Sequence, residues 1–212
     1  MIEKSNSIPH KQTFYFWLIG ILSGLYIGMD YFFAAHFLNH SQINSYHIYS
    51  RIFFISFIFY YAYILYSSKN ISKNNLNKQI KEIKHITKVS IFIGCLVVIS
   101  MFVITLIFDY LGLIIWVTNG IEIKISILFF AFIYYLIRVF RDVILVIMKC
   151  INHIRNLLIV HVIEIFFVII LLNNLIPLYG LKGIFISFSM SSFISLIFLF
   201  FFIIGSNNFD KK

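Results

Sequence analysis

The sequence predicts an all-α, polytopic membrane protein with six transmembrane helices and both termini on the cytoplasmic side. Three observations carry that prediction. Of the 212 residues, 61% are hydrophobic and only 12% are charged, whereas a soluble domain is about half apolar. The apolar residues gather into runs of 20 or more, long enough to cross a hydrocarbon core of about 30 Å at about 1.5 Å per residue. The cations fall on one side of those runs. With the amino terminus placed in the cytoplasm, twelve lysines and arginines lie in cytoplasmic segments and two, Lys124 and Lys182, in outer ones, as the positive-inside rule requires.

Helices are expected because backbone amides in lipid must be bonded within their own segment. A barrel would show short alternating strands, and these runs do not alternate. The spans are 13–38, 45–67, 89–108, 125–148, 157–176 and 182–204, forming one domain over 1–212. The net charge of +9 therefore follows from topology and does not indicate a nucleic-acid partner.

Span 13–38 is preceded by Lys4 and Lys11 and contains Ala34-Ala35, but its apolar run is too long for a cleaved signal peptide. Gly20, Gly24 and Gly28 recur every four residues, a spacing expected to serve close packing within the bundle, with a gliding or partner surface as the alternative. Span 45–67 carries Arg51. The hydrophilic stretch 68–88 follows, and in LNKQIKEIKHITK the residues Leu76, Ile80 and Ile83 stand at helical spacing among lysines. This predicts an interfacial amphipathic helix on the anionic cytoplasmic leaflet, with a solvated linker as the alternative.

Span 89–108 is uncharged and holds Cys95. The segment 109–124 is expected to lie along the outer interface. Span 125–148, ISILFFAFIYYLIRVFRDVILVIM, contains Arg138, Arg141 and Asp142, and span 157–176 contains His161 and Glu164. Pro177 and Gly180 mark the turn before span 182–204, where Gly183, Ser187, Ser191 and Ser195 repeat the small-residue spacing. Cys95 within a span and Cys150 in a cytoplasmic loop do not suggest a disulfide.

The charges inside the spans carry the functional argument. An ionisable residue at the bilayer centre costs at least about 2.5–3.5 kcal/mol, so such residues face a bundle interior or a wet cavity. Glu164 and Arg138 lie centrally, and Glu164 is expected to pair with Arg138 or Arg51. Arg138 and Asp142, four residues apart, can pair along one helix. Arg141 either joins the cavity or snorkels to the headgroups. Asp30 is either an ion-pair partner or an interfacial residue, and His161 is either a packing histidine or, with Glu164, a proton-coupling pair.

Arg51, Arg138 and Arg141 outnumber the central carboxylates. That surplus suits an anionic substrate, and the guanidinium fork suits phosphate. The chain has no HExxH, no phosphate-binding loop and no nucleophile elbow. His36 and His40 straddle a span end. No enzyme activity, cofactor or metal site is therefore expected.

Three stretches carry a family resemblance. MDYFFAAHFLNHSQINSYHIYSRI, residues 29–52, sets Asp30 late in one span and Tyr46 and Arg51 at the opening of the next. RNLLIVHVIEIFFVIILLNNLIP, residues 155–177, is the second. LYGLKGIFISFSMSSFISLIF, residues 178–198, has Gly180, Gly183 and Ser187 ahead of a serine-rich span. Together they resemble a lobe of the bacterial polysaccharide flippases, the MATE-like exporters of lipid-linked oligosaccharides. Over nearly the whole chain the similarity is to the second, C-terminal lobe.

The resemblance implies one lobe of an inverted-V, alternating-access transporter in the inner membrane, with a cationic central cavity and an oligosaccharide on undecaprenyl pyrophosphate as substrate. Such flippases have twelve or more spans, so a second six-helix lobe is expected, from another copy or a partner chain. Two alternatives stand beside this one. One is a non-transporting accessory or structural subunit. The other is a glycan polymerase or transferase, for which the outer loops are too short.

Overall fold

A computed structural model of the chain describes residues 10–76, 80–113 and 123–209, with side chains over 13–72, 81–113 and 123–202. Among the described residues there are six helices: α1 (His10–Phe37), α2 (His40–Leu76), α3 (Ile80–Tyr110), α4 (Ile125–Cys150), α5 (Ile154–Tyr179) and α6 (Leu181–Phe209). All but α4 are long and apolar enough to cross a membrane. α4 has 26 residues and is set apart by the four charged residues it carries, Arg138, Arg141, Asp142 and Lys149. This is the architecture of an all-helical membrane protein.

α2 and α3 outrun their expected spans. At 37 and 31 residues they measure about 55 Å and about 46 Å, against a hydrocarbon core of about 30 Å. The stretch 68–88 is therefore not a separate interfacial helix. It is shared between the end of α2 and the start of α3, with residues 77–79 outside the described residues. Lysine-rich sequence is a good helix former, and here it prolongs two spans. Most of the segment 109–124, expected at the outer interface, also lies outside the described residues.

The helices alternate in direction. One end of the bundle, here the upper, holds the α1–α2 turn at Leu38–Asn39, the start of α4 and the α5–α6 turn. The lower end holds the α4–α5 turn and the free ends of α1 and α6. Pro177 falls inside the last turn of α5 instead of after it. The helix stops at Gly180, whose φ of +57° is a conformation that glycine adopts without strain.

α4 is central: α2 and α3 pack on one flank and α6 on the other, α5 lies against α6, and α1 lies against α5. α1 and α2 are sequence neighbours but share little contact. The array is thus a horseshoe with a gap between α1 and α2.

In lipid no hydrophobic effect draws helices together, so close packing and buried polar contacts must. The α6 stripe serves this purpose, since Ser187, Ser191 and Ser195 are fully buried. Gly183 sits so close to the backbone of Leu175 and Ile176 that a Cβ would collide with it. Gly94 of α3, which sequence reading passed over, does the same: a Cβ there would stand 2.5 Å from Val139 Cγ1 and 2.6 Å from Tyr60 Cε2.

The α1 stripe behaves otherwise. Nothing lies within 4 Å of a Cβ at Gly20, Gly24 or Gly28. These glycines are exposed and do not serve packing within the chain, the first of the two readings expected for them.

Candidate functional site

A cleft runs along the gap between α1 and α2, with α4 as its floor. Its lower part has a volume of about 380 Å³ and is lined by Tyr26, Phe57, Arg138, Arg141, Asp142, Lys149 and His161 among others. Its upper part, about 350 Å³, is lined by Asp30, Tyr31, Tyr46, Arg51, Tyr134, Tyr135 and Arg138 among others. Tyr26, Ile27, Phe54 and Arg138 line both, so the two parts meet at the level of Arg138.

Helical periodicity explains why the charges converge. Arg138, Arg141, Asp142, Leu145 and Lys149 recur at three- and four-residue intervals and so share one face of α4. Ser23, Ile27, Asp30 and Tyr31 form the corresponding face of α1, and Arg51, Phe54, Ile58 and Tyr61 that of α2. The sequence brackets these positions with apolar residues, which turn outward to lipid or into the two apolar clusters of the core.

Arg141 is a buried tie. Its Nη1 donates to Glu164 Oε1 at 2.8 Å, to Tyr26 Oη at 3.3 Å and to Ser192 Oγ at 3.3 Å. Its guanidinium also lies over the Tyr26 ring, 5.0 Å from the centroid. One side chain thereby joins α4 to α5, α1 and α6. Glu164 is 0% exposed, and its carboxylate is bonded to Arg141, not to Arg138 or Arg51 as expected. The snorkelling alternative for Arg141 is ruled out by the same contacts. The cause is register: on α4 the position facing α5 is 141, and 138 is turned toward α2.

Arg138 is held differently. Its Nε lies 3.4 Å from Asp142 Oδ2, the pairing expected along α4, and Nη1 lies 3.5 Å from Tyr134 Oη. The guanidinium stacks over Phe57 at 4.6 Å and near Tyr135 at 5.8 Å, contacts favourable to a planar cation. Its other N–H groups make no hydrogen bond among the described residues, and the side chain keeps 20% of its accessibility. Arg138 is thus fixed in orientation while still offering donors to the cleft.

Asp142 also stands 3.3 Å from Arg141 Nε, close enough for an ion pair but without hydrogen-bond alignment. His161 Nδ1 is 3.6 Å from Glu164 Oε2, too far for a hydrogen bond. His161 Nε2 and Glu164 Oε2 are buried with no partner among the described residues.

The upper site gathers around Asp30. Tyr46 donates to Asp30 Oδ2 at 2.5 Å, and the Tyr31 amide donates to Oδ1 at 2.7 Å. Tyr31 Oη and His47 Nδ1 are 2.7 Å apart. The Tyr46–Asp30 and Tyr31–His47 bonds fasten α1 to α2 near their turn, while the Tyr31 amide bond holds the Asp30 carboxylate within α1. Arg51 is exposed, lines the upper cleft, and forms no ion pair among the described residues.

Of the seven positions singled out in the sequence, Arg138, Arg141, Asp142, His161 and Glu164 form one contact cluster, while Asp30 and Arg51 line the upper cleft with no salt bridge to it among the described residues. The residues that sequence reading passed over are Tyr26, Tyr134, Ser192, Phe57 and Lys149. Only Lys149 carried a readable signal, as the cation directly after the apolar run; the others resemble ordinary packing residues until the helices are brought together. Comparison with protein-family models, with curated proteins and with solved structures finds no match to this chain.

Proposed function

We propose that this chain is one half of a transporter that moves an undecaprenyl-pyrophosphate-linked oligosaccharide outward across the inner membrane. In this reading both termini face the cytoplasm, all six helices cross the bilayer, and the chain forms one lobe of a MATE-like assembly. The observation that carries the reading is Arg138. It sits where the two parts of the cleft meet, stacked on Phe57, with N–H donors left over. A guanidinium held flat in this way is suited to two oxygens of a phosphate, and Arg51 adds a second cation toward the upper end.

The roles then divide. Arg138 and Arg51 contact the substrate's pyrophosphate. Arg141 orients the site through Glu164, with Asp142 shared between the two arginines of α4. The cleft is open along the α1–α2 gap, so a second six-helix lobe, from another copy or a partner chain, would close it.

The test is lipid-linked oligosaccharide flipping in vesicles. Arg138→Ala and Arg51→Ala should each lower flux at least about tenfold, since hydrogen bonds to charged groups are worth about 1.5–3 kcal/mol. Unchanged flux in both variants would remove the site.

One observation favours a second reading, a non-transporting subunit. Arg141, through its bonds to Glu164, Tyr26 and Ser192, joins four helices and would serve assembly alone. Purification separates the two readings. A stable complex with six further spans, supplied by a second copy or a partner chain, supports the transporter half; a chain that remains alone supports the accessory role.

A further inference from the structure

The lower part of the cleft has a charge imbalance that the substrate reading does not use. Asp142 stands against both Arg138 and Arg141, and Glu164 against Arg141. Lys149 lines the same cavity, is half-buried, and takes part in none of the ion pairs among the described residues. It lies in the last turn of α4, two turns below Asp142. The adjoining Cys150 thiol donates to the Ser68 carbonyl at 3.4 Å, which brings the lysine-bearing end of α2, with exposed Lys69, beside the cavity mouth. The surplus cation therefore sits at the end of the bundle where Lys69, Lys84, Lys88 and Arg155 are exposed.

Above Lys149 the α1 and α2 walls present apolar side chains at the sideways opening, over an α4 floor that holds Asp142, Arg141 and Arg138. Ile27 on α1 is 64% exposed, and Phe54 and Ile58 on α2 are 56% and 53% exposed, all three lining the cavity. These residues lie within helices of membrane-crossing length, so the gap between them faces acyl chains.

We propose that the lower cleft binds one anionic glycerophospholipid, with its phosphate on Lys149 and one acyl chain laid between α1 and α2 against Ile58, Phe54 and Ile27. A free phosphate ion would match the cation but not the apolar walls. A zwitterionic lipid would match the walls but would bring its own cation to Lys149. Only an anionic lipid satisfies both. The site shares the cleft with the proposed transport path and does not require transport to occur. The bound lipid is what an incoming carrier would displace, so the two share the cation chemistry of one mouth.

Native mass spectrometry of the full chain in detergent tests this without any flux measurement. The protein is mixed with phosphatidylglycerol, phosphatidylcholine of the same chains, or glycerol phosphate as a headgroup without tails. One phosphatidylglycerol should be retained per chain, several-fold above phosphatidylcholine, and glycerol phosphate should not compete. Lys149→Gln should lower phosphatidylglycerol retention about fivefold, the worth of one lysine at an anionic surface. Lys149→Arg should restore it, and Lys84→Gln, on the α3 surface, should leave it unchanged.

Equal retention of the two lipids by the unaltered protein would overturn the proposal, as would full retention in Lys149→Gln. Competition by glycerol phosphate at matched concentration would mean an adventitious phosphate site, and would overturn it as well. A chain that holds the lipid but flips no oligosaccharide would leave this inference standing while removing the transport reading.

Discussion

Arg141 Nη1 lies 2.8 Å from Glu164 Oε1, and this bond between two buried side chains ties α4 to α5. Removing one partner strands the other charge. Glu164→Ala and Arg141→Ala should each destabilise the protein by about 3–5 kcal/mol, the usual result of breaking a buried pair. The double variant should cost less than the sum, because no lone charge remains. Thermal unfolding in detergent checks both statements. Additive losses would mean that the two residues act independently.

Arg138 differs from Arg141 in what a conservative change should do. Arg138→Lys keeps the charge and the link to Asp142 but loses the planar fork and the stacking on Phe57. If the cleft binds phosphate as proposed, flux in Arg138→Lys should fall between those of the unaltered protein and Arg138→Ala. The unfolding midpoint should move little, because Arg138 keeps partial exposure and Lys can still reach Asp142. Full activity in Arg138→Lys would show that the site reads charge alone.

How much of this was legible beforehand follows from what each signal encodes. The length of an apolar run is a property of a single segment, and the runs coincide with all six helices among the described residues. Depth in the membrane is also a single-segment property, which is why Arg138, Arg141 and Glu164 stood out. The partner of Glu164 depends on the rotation of α4 against α5, a relation between segments that periodicity alone does not fix. In 68–88 the amphipathic spacing is the same for a helix lying on a surface and for one that continues a span. Gly94 and the α1 glycines show the same limit: spacing cannot tell a stripe that packs from one that faces outward.

That last contrast makes its own prediction. Gly94→Ala puts a methyl into Val139 and Tyr60 and should cost about 1–3 kcal/mol by overpacking. Gly24→Ala meets nothing within 4 Å and should stabilise α1 by about 0.5–1 kcal/mol through lost backbone freedom. Unfolding midpoints of the two variants should therefore move in opposite directions. A loss of stability in Gly24→Ala accompanied by a change in oligomeric state would instead show that the exposed glycines pack against a second chain.

The Asp30–Tyr46 bond sets the angle between α1 and α2, because it lies near their turn while the helices below it stand apart. Tyr46 is 4% exposed and its hydroxyl reaches the carboxylate at 2.5 Å. Tyr46→Phe keeps the ring packed on Phe185 but leaves Asp30 without its side-chain donor. The expected cost is about 1.5–3 kcal/mol, as for hydrogen bonds to charged groups. The loss should be felt as movement across the cleft more than as unfolding, since α1 remains anchored to α5. Spin labels at Ile27 and Phe54, one on each wall, should report a broader distance distribution in Tyr46→Phe than in the unaltered protein. Asp30→Asn, which can still accept from Tyr46, should broaden it less. Identical distributions in all three proteins would mean that the turn at Leu38–Asn39 fixes the gap by itself.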